Sequence, residues 1–189
     1  MGFALQELAK TLDVNERTLR RAWALGTMRG ERVTPYKLRV SVEERAYLRR
    51  HWPTLARLRQ ALRTEPNVSV AVVFGSVARG DDYAGSDVDL LVGLNNDGLR
   101  NQVALANRLC RHTALPIEVI ALEDALRRPA LMVEILRDGR ALVDRDERWP
   151  ELRMQTADFL ARAAEDRQSL AERARIALAV FAERADALP

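Results

Sequence analysis

An α+β fold is predicted for this chain: a small mixed β-sheet flanked by helices, preceded by a helical, helix-turn-helix-like unit and followed by C-terminal helices. Three observations predict it. Before Pro66 the apolar residues recur mostly at helical spacing. Beyond it they alternate or run in strand-length blocks separated by helical stretches. From Glu151 to Ala187 the pattern returns to helix, rich in alanine, arginine and glutamate. The implied division is residues 1–65, 66–148 and 149–189.

The elements follow in order. Leu5, Leu8, Ala9 and Leu12 keep helical spacing until Asp13-Val14-Asn15 interrupts it. Asn15 can cap a second helix, Val14 and Leu19 are spaced as a hydrophobic staple, and Gly26 is a natural left-handed stop. Arg17, Arg20 and Arg21 share one face of that helix, suited to a phosphate backbone. Arg32 to Val42 reads either as a β-ribbon wing, through Pro35 and Tyr36, or as an extended connector. Ser41 before Glu43 and Glu44 starts a long helix through Tyr47, Leu48, Trp52, Leu55, Leu58 and Leu62, with a break or kink expected near Pro53.

Beyond Pro66, Val68–Phe74, Val88–Val92 and Pro116–Ala121 read as strands, and Leu99–Thr113 and Pro129–Arg137 as helices. Asp138-Gly139 closes the last of these before a short apolar run, Ala141-Leu142-Val143. The tail offers Leu152, Phe159, Leu160, Leu170, Leu178 and Phe181 to an apolar stripe on one or two amphipathic helices.

Composition narrows the function classes. With 48% apolar and 30% charged residues the chain has the balance of a folded, water-soluble protein. No segment is long enough to span a bilayer, and no basic stretch followed by an apolar core opens the chain, so a cytoplasmic protein without membrane contact is expected. The single Cys110 excludes an internal disulfide, and with just His51 and His112 beside it a Cys/His zinc site is excluded too; Cys110 is expected in the core. Charge is uneven. Residues 1–65 carry 14 Lys/Arg against 7 Asp/Glu, whereas residues 66–189 carry 16 against 20, so the basic end reads as a polyanion-binding, DNA-facing unit.

The chemistry is concentrated in Val72 to Val92. A buried strand delivers Gly75, whose missing side chain lets a phosphate approach the backbone, and Ser76 adds a hydroxyl and an N–H where a short helix would begin. Arg79 is placed to contact phosphate or to fix the loop against the acidic residues after it, while Asp81 and Asp82 read as solvated loop residues. Asp87 and Asp89, after Ser86, are two apart on a strand, so they share a face about 6.5–7 Å apart. Two carboxylates at that spacing can hold Mg2+ against triphosphate oxygens. Glu118, a charge within the apolar strand Pro116 to Ile120, is the candidate third carboxylate, to deprotonate an attacking hydroxyl or complete a metal site.

Gly75-Ser76, ten residues, then Asp87-x-Asp89 resembles the signature of the polymerase-β-like nucleotidyltransferases. The string GSVARGDDYAGSDVDLLV is similar to the minimal nucleotidyltransferases, or MNT proteins, over about residues 66–145. The resemblance implies that Gly75 and Ser76 bind the β- and γ-phosphates, with Arg79 and Ser86 beside them, that Asp87 and Asp89 bind magnesium, and that Glu118 replaces a third carboxylate that is more often Asp. Some relatives place a lysine on the triphosphate; none follows Lys37 here, which leaves Arg127, Arg128 or Arg137 to substitute.

It further implies transfer of a nucleoside monophosphate, AMP foremost, from an NTP such as ATP, with release of pyrophosphate. The compact unit leaves little room for a substrate domain, so the acceptor is expected to be a macromolecule. Relatives are antitoxins that adenylylate a HEPN-type toxin, or toxins that add nucleotides to tRNA, and a DNA-binding head suits either through autoregulation. An oligomer is compatible with both. The resemblance also admits an antibiotic nucleotidyltransferase, for which the basic head has no purpose, and a transcription regulator whose second unit senses nucleotide.

Overall fold

In the computed structural model of the chain, residues 3–34, 37–96 and 98–186 are described. Strand β1 (Phe3–Ala4) leads into helix α1 (Leu5–Thr11), and the chain turns at Asp13, φ 53°, into α2 (Glu16–Leu25). The expected signals act where they stand. Asn15 Oδ1 accepts the Thr18 N–H at 2.9 Å, and Gly26 ends α2 at φ 89°. The stretch left open between wing and connector holds two paired strands, β2 (Glu31–Thr34) and β3 (Lys37–Val40), and β1 joins the far side of β3. Pro35 and Tyr36 lie outside the described residues.

Helix α3 (Val42–Arg63) starts as predicted, with Ser41 Oγ accepting the Glu44 N–H at 3.1 Å. It does not break at Pro53. That residue is exposed, so the carbonyl its missing N–H leaves behind can turn to water, and the helix runs on.

The second sheet contains β4 (Val68–Phe74), β5 (Val88–Leu94), β6 (Ile117–Ala121) and β7 (Arg140–Asp144), in the order β6-β5-β4-β7. It is mixed: β4 runs antiparallel to β5 and β7, and β5 runs parallel to β6. Between these strands lie α4 (Gly75–Arg79), α5 (Leu99–Thr113), α6 (Leu122–Leu126) and α7 (Pro129–Asp138), and after them α8 (Arg148–Met154) and α9 (Thr156–Asp186).

Alternation along β4 divides the core. Val68, Ala71 and Val73 face α3 and α5, whereas Val70, Val72 and Phe74 face α7, α8 and the start of α9. The N-terminal unit shares the first of these clusters. Leu5, Leu8 and Leu19 are buried with Leu90 and Leu142, and the Thr27 hydroxyl donates to the Ala141 carbonyl. On α9, Phe159 and Ala163 are buried while Leu170, Ile176 and Leu178 are exposed; the Phe181 side chain is outside the described set. Cys110 packs half-buried against the first cluster. No helix among the described residues is long and apolar enough to cross a membrane.

Candidate active site

Sheet register assembles the site. Phe74 stands opposite Asp89 across the antiparallel pair, and Asp89 stands opposite Glu118 across the parallel pair. Residues in register share a face, so the Asp89 and Glu118 carboxylates project together, while Val88 and Leu90 turn to the opposite core, 2% and 0% exposed. Asp87, immediately before β5, is exposed, as is Glu118; Asp89 is half-buried. The Asp89 carboxyl is pushed above the usual range by burial, then by the charges of Glu118 and Asp87, with Arg79 opposing. Both of the other predicted carboxylates therefore act on Asp89.

Among the described residues no three His, Cys, Asp or Glu side chains form a preformed metal cage. The residues nonetheless fit magnesium. All three donors are carboxylate oxygens, two of them reach solvent, and their mutual repulsion is what a hard divalent cation would relieve.

Gly75 opens α4 at φ 68°, and a Cβ built there would overlap Asp89 Oδ2 and lie 3.0 Å from its Cγ. The carboxylate itself thus requires glycine, a reason beyond access for phosphate. No side chain caps α4, and the half-buried Ser76 has no hydroxyl partner among the described residues. Of the two roles open to Arg79, the structure displays loop fixing: Nε donates to Asp81 Oδ2 at 3.1 Å. Ser86 Oγ accepts the Tyr83 N–H at 3.0 Å and closes the turn that leads to Asp87.

The family described as polymerase beta, nucleotidyltransferase matches residues 56–148, which span all of these groups. Residues 56–148 are a nucleotidyltransferase domain of this family. Three solved structures share its fold. One is a chain in the crystal structure of a toxin–antitoxin with AMP-PNP, at 18% identity and TM-score 0.54, covering 64% of this chain and 98% of that one. A second belongs to the MntA-HepT toxin–antitoxin, at 16% identity and TM-score 0.51, with 66% and 98% covered. The third belongs to a complex of tri-AMPylated Shewanella oneidensis HEPN toxin with MNT antitoxin, at 16% identity and TM-score 0.52, with 66% and 98% covered. No functionally curated protein matches the chain.

The nucleotidyltransferase domain has a support that sequence reasoning missed. Arg140, 3% exposed, donates through Nε to the Ala78 carbonyl of α4 at 2.8 Å and through Nη1 and Nη2 to Glu44 at 2.7 and 2.9 Å. Its guanidinium lies 3.5 Å from the ring centroid of Tyr47, whose buried hydroxyl is pushed up to about 12. Gly80, φ 86°, brings the end of α4 onto the Tyr47 ring. His51 stacks on Tyr47 at 4.5 Å, and its Nε2 is 3.4 Å from Asp82 Oδ1, without hydrogen-bond alignment. Burial holds His51 below the usual imidazole range, so this contact is not a salt bridge. Asp82 is not the solvated residue expected of it: its side chain is 17% exposed, and its carbonyl accepts from Arg50 Nη2 at 2.6 Å.

Nothing in the spacing of Glu44 and Arg140 announces their pairing. Glu44 read simply as a first-turn acid of α3. The arginines considered for the triphosphate are partly engaged elsewhere, Arg127 with Asp124 at 3.3 Å and Arg137 with Asp138 at 2.7 Å. Arg17, Arg20 and Arg21 are exposed on α2, away from the carboxylates; Arg20 lies 3.5 Å from Glu16, and Arg21 lines a groove beside α3.

Proposed function

We propose that the chain is a magnesium-dependent nucleotidyltransferase of the minimal type, which moves AMP from ATP to a macromolecular acceptor, a toxin protein encoded as its partner in a bacterial toxin–antitoxin pair. The observation that carries this reading is the register that sets Asp89 beside Glu118 with Gly75 beneath the Asp89 carboxylate. Asp87 and Asp89, with Glu118 completing the set, would hold magnesium, which supplies charge neutralisation for the triphosphate and the leaving pyrophosphate. Gly75 and Ser76 offer backbone N–H groups and a hydroxyl to the terminal phosphates, and Arg79 and Ser86 keep the loop over them in shape. Glu118, exposed at the site mouth, takes the proton of the incoming acceptor hydroxyl. The products are a nucleotidylated acceptor and pyrophosphate.

The basic N-terminal unit, residues 1–65, supports a second role in the same protein. Arg17, Arg20 and Arg21 on α2, flanked by the β2–β3 strands, suit DNA, and the role that follows is autoregulation in the cytoplasm. Residues 149–189 are then a C-terminal segment whose described helices begin against the catalytic sheet through Trp149, Leu152 and Phe159.

Labelled ATP, CTP and UTP incubated with magnesium and, separately, the neighbouring gene product, total tRNA and aminoglycosides will test the activity. Label from ATP is expected on the protein partner and is lost in Asp87→Ala/Asp89→Ala. Label on tRNA alone would reassign the acceptor, and no label on any acceptor would leave a nucleotide-sensing regulator in place of an enzyme.

A further inference from the structure

A groove of ≈ 740 Å³ opens between α2, α3 and β7. It lies away from the carboxylates: β7 places Arg140 opposite Val73, beside the site, but lines the groove with its other end, Leu142 to Asp144. Trp52, Leu55 and Leu142 line its apolar part, and Arg21, Arg59 and Arg63 its charged part.

These three arginines are unlike most others in the chain. Arg145 in the same groove donates to the Glu65 and Pro66 carbonyls at 3.1 and 2.8 Å. Arg21, Arg59 and Arg63 have no acidic or carbonyl acceptor among the described residues. Asp144, the acid in the lining, directs its two oxygens to the Arg148 and Trp149 N–H groups at 2.9 and 3.2 Å, and it forms no ion pair with these three arginines among the described residues. Burial, and after it the Arg63 and Arg21 charges, hold the Arg59 guanidinium below its ordinary range. The fold gains nothing from this crowding, which opposes folding through like-charge repulsion.

We infer that the groove seats a DNA phosphate backbone, with α3 joining α2 in the contact through Arg21, Arg59 and Arg63. This rests on the reading of the N-terminal unit as DNA-binding and moves its centre from the outer face of α2 to the cleft beside α3. Arg59 and Arg63 are four residues apart, about 6 Å along the helix axis, so neighbouring phosphates on one strand meet neighbouring guanidiniums. Arg21 closes on them from the opposite wall. Each guanidinium can fork onto two phosphate oxygens, a geometry that lysine lacks. A free nucleotide shares the phosphate chemistry but would need a surface for its base. Trp52 is 8% exposed and offers no open ring to stack on, so the groove suits backbone rather than base.

The test uses the full chain in chelator, which keeps metal from the catalytic carboxylates. Anisotropy of a labelled random-sequence DNA duplex is followed against salt for wild type, Arg59→Gln/Arg63→Gln and Arg17→Gln/Arg20→Gln, with tripolyphosphate as competitor and thermal unfolding as the control for folding. The groove variant is expected to bind at least ~10-fold more weakly, with the slope of log K against log salt reduced by about 2, and to unfold no earlier than wild type. Unchanged affinity and slope in that variant, with loss in Arg17→Gln/Arg20→Gln, would overturn the groove assignment and leave α2 as the contact. A wild-type chain that retains no duplex overturns the DNA-binding reading as well, and one that takes tripolyphosphate but no duplex makes the groove a small-anion site instead.

Discussion

Arg140 grips both carboxylate oxygens of Glu44, at 2.7 and 2.9 Å, with the two side chains 3% and 6% exposed. Because Arg140 also donates to the Ala78 carbonyl, and Glu44 also accepts the Arg29 N–H at 2.9 Å, this pair ties the N-terminal unit, α3 and α4 together. Removal of one partner strands a buried charge. Glu44→Gln is expected to lower the free energy of unfolding by about 3–5 kcal/mol, measured by urea denaturation. A loss below about 1 kcal/mol would mean that water reaches the pair.

Gly75 answers to two constraints at once, its φ of 68° and the Asp89 carboxylate against its α-carbon. Gly75→Ala should cost about 1–2 kcal/mol of stability from the left-handed backbone alone. The overlap also displaces Asp89, so nucleotide transfer should fall further than the lost folded fraction explains. Stability and turnover measured on the same preparation separate the two effects.

Burial, and after it the charges of Glu118 and Asp87, oppose ionisation of the Asp89 carboxyl and hold it above the usual carboxylate range. Asp89→Asn removes that opposition, so in chelator the variant should unfold at a higher temperature than wild type while transferring no nucleotide. Millimolar magnesium should raise the wild-type midpoint and leave that of the variant nearly unmoved. Equal responses of the two proteins to magnesium would remove Asp89 from the metal-holding set.

His51 is depressed below 6.5, first by burial, with Asp82 opposing and Arg50 and Arg140 adding to the effect. A histidine that binds its proton less tightly when folded gives full stability above the unfolded value. That stability is lost as pH falls through about 6.5 toward the folded value, where the unfolded chain takes up the proton first. Urea midpoints between pH 8 and pH 5 should therefore decline more steeply for wild type than for His51→Gln. Parallel declines would show that other groups set the acid limit.

The fold was legible wherever local chemistry determines it. Asn15, Gly26 and Ser41 cap their helices as read, and the apolar residues of Val68 to Phe74 marked β4 as a strand. Strand β1 was not legible, since two residues carry no period; of the break or kink expected near Pro53, no break occurs, because a proline on a solvent-facing turn interrupts less than one in a core. Asp89 and Glu118 stand out in the sequence as carboxylates on apolar strands, and the register sets them side by side. Glu44, His51, Asp82 and Arg140 do not stand out. Each looks like an ordinary surface or loop residue in sequence, and the tertiary packing of α3 against β7 and the end of α4 makes them neighbours.

Because Leu5 and Leu19 lie in the same buried cluster as Leu90 and Leu142, the N-terminal unit and the catalytic sheet share one core. A polymer held by the arginine-bearing unit would stand at a set bearing to the carboxylates. A long polymer bound at one end would in this way screen some approaches and leave others open, with no shape change required of the protein.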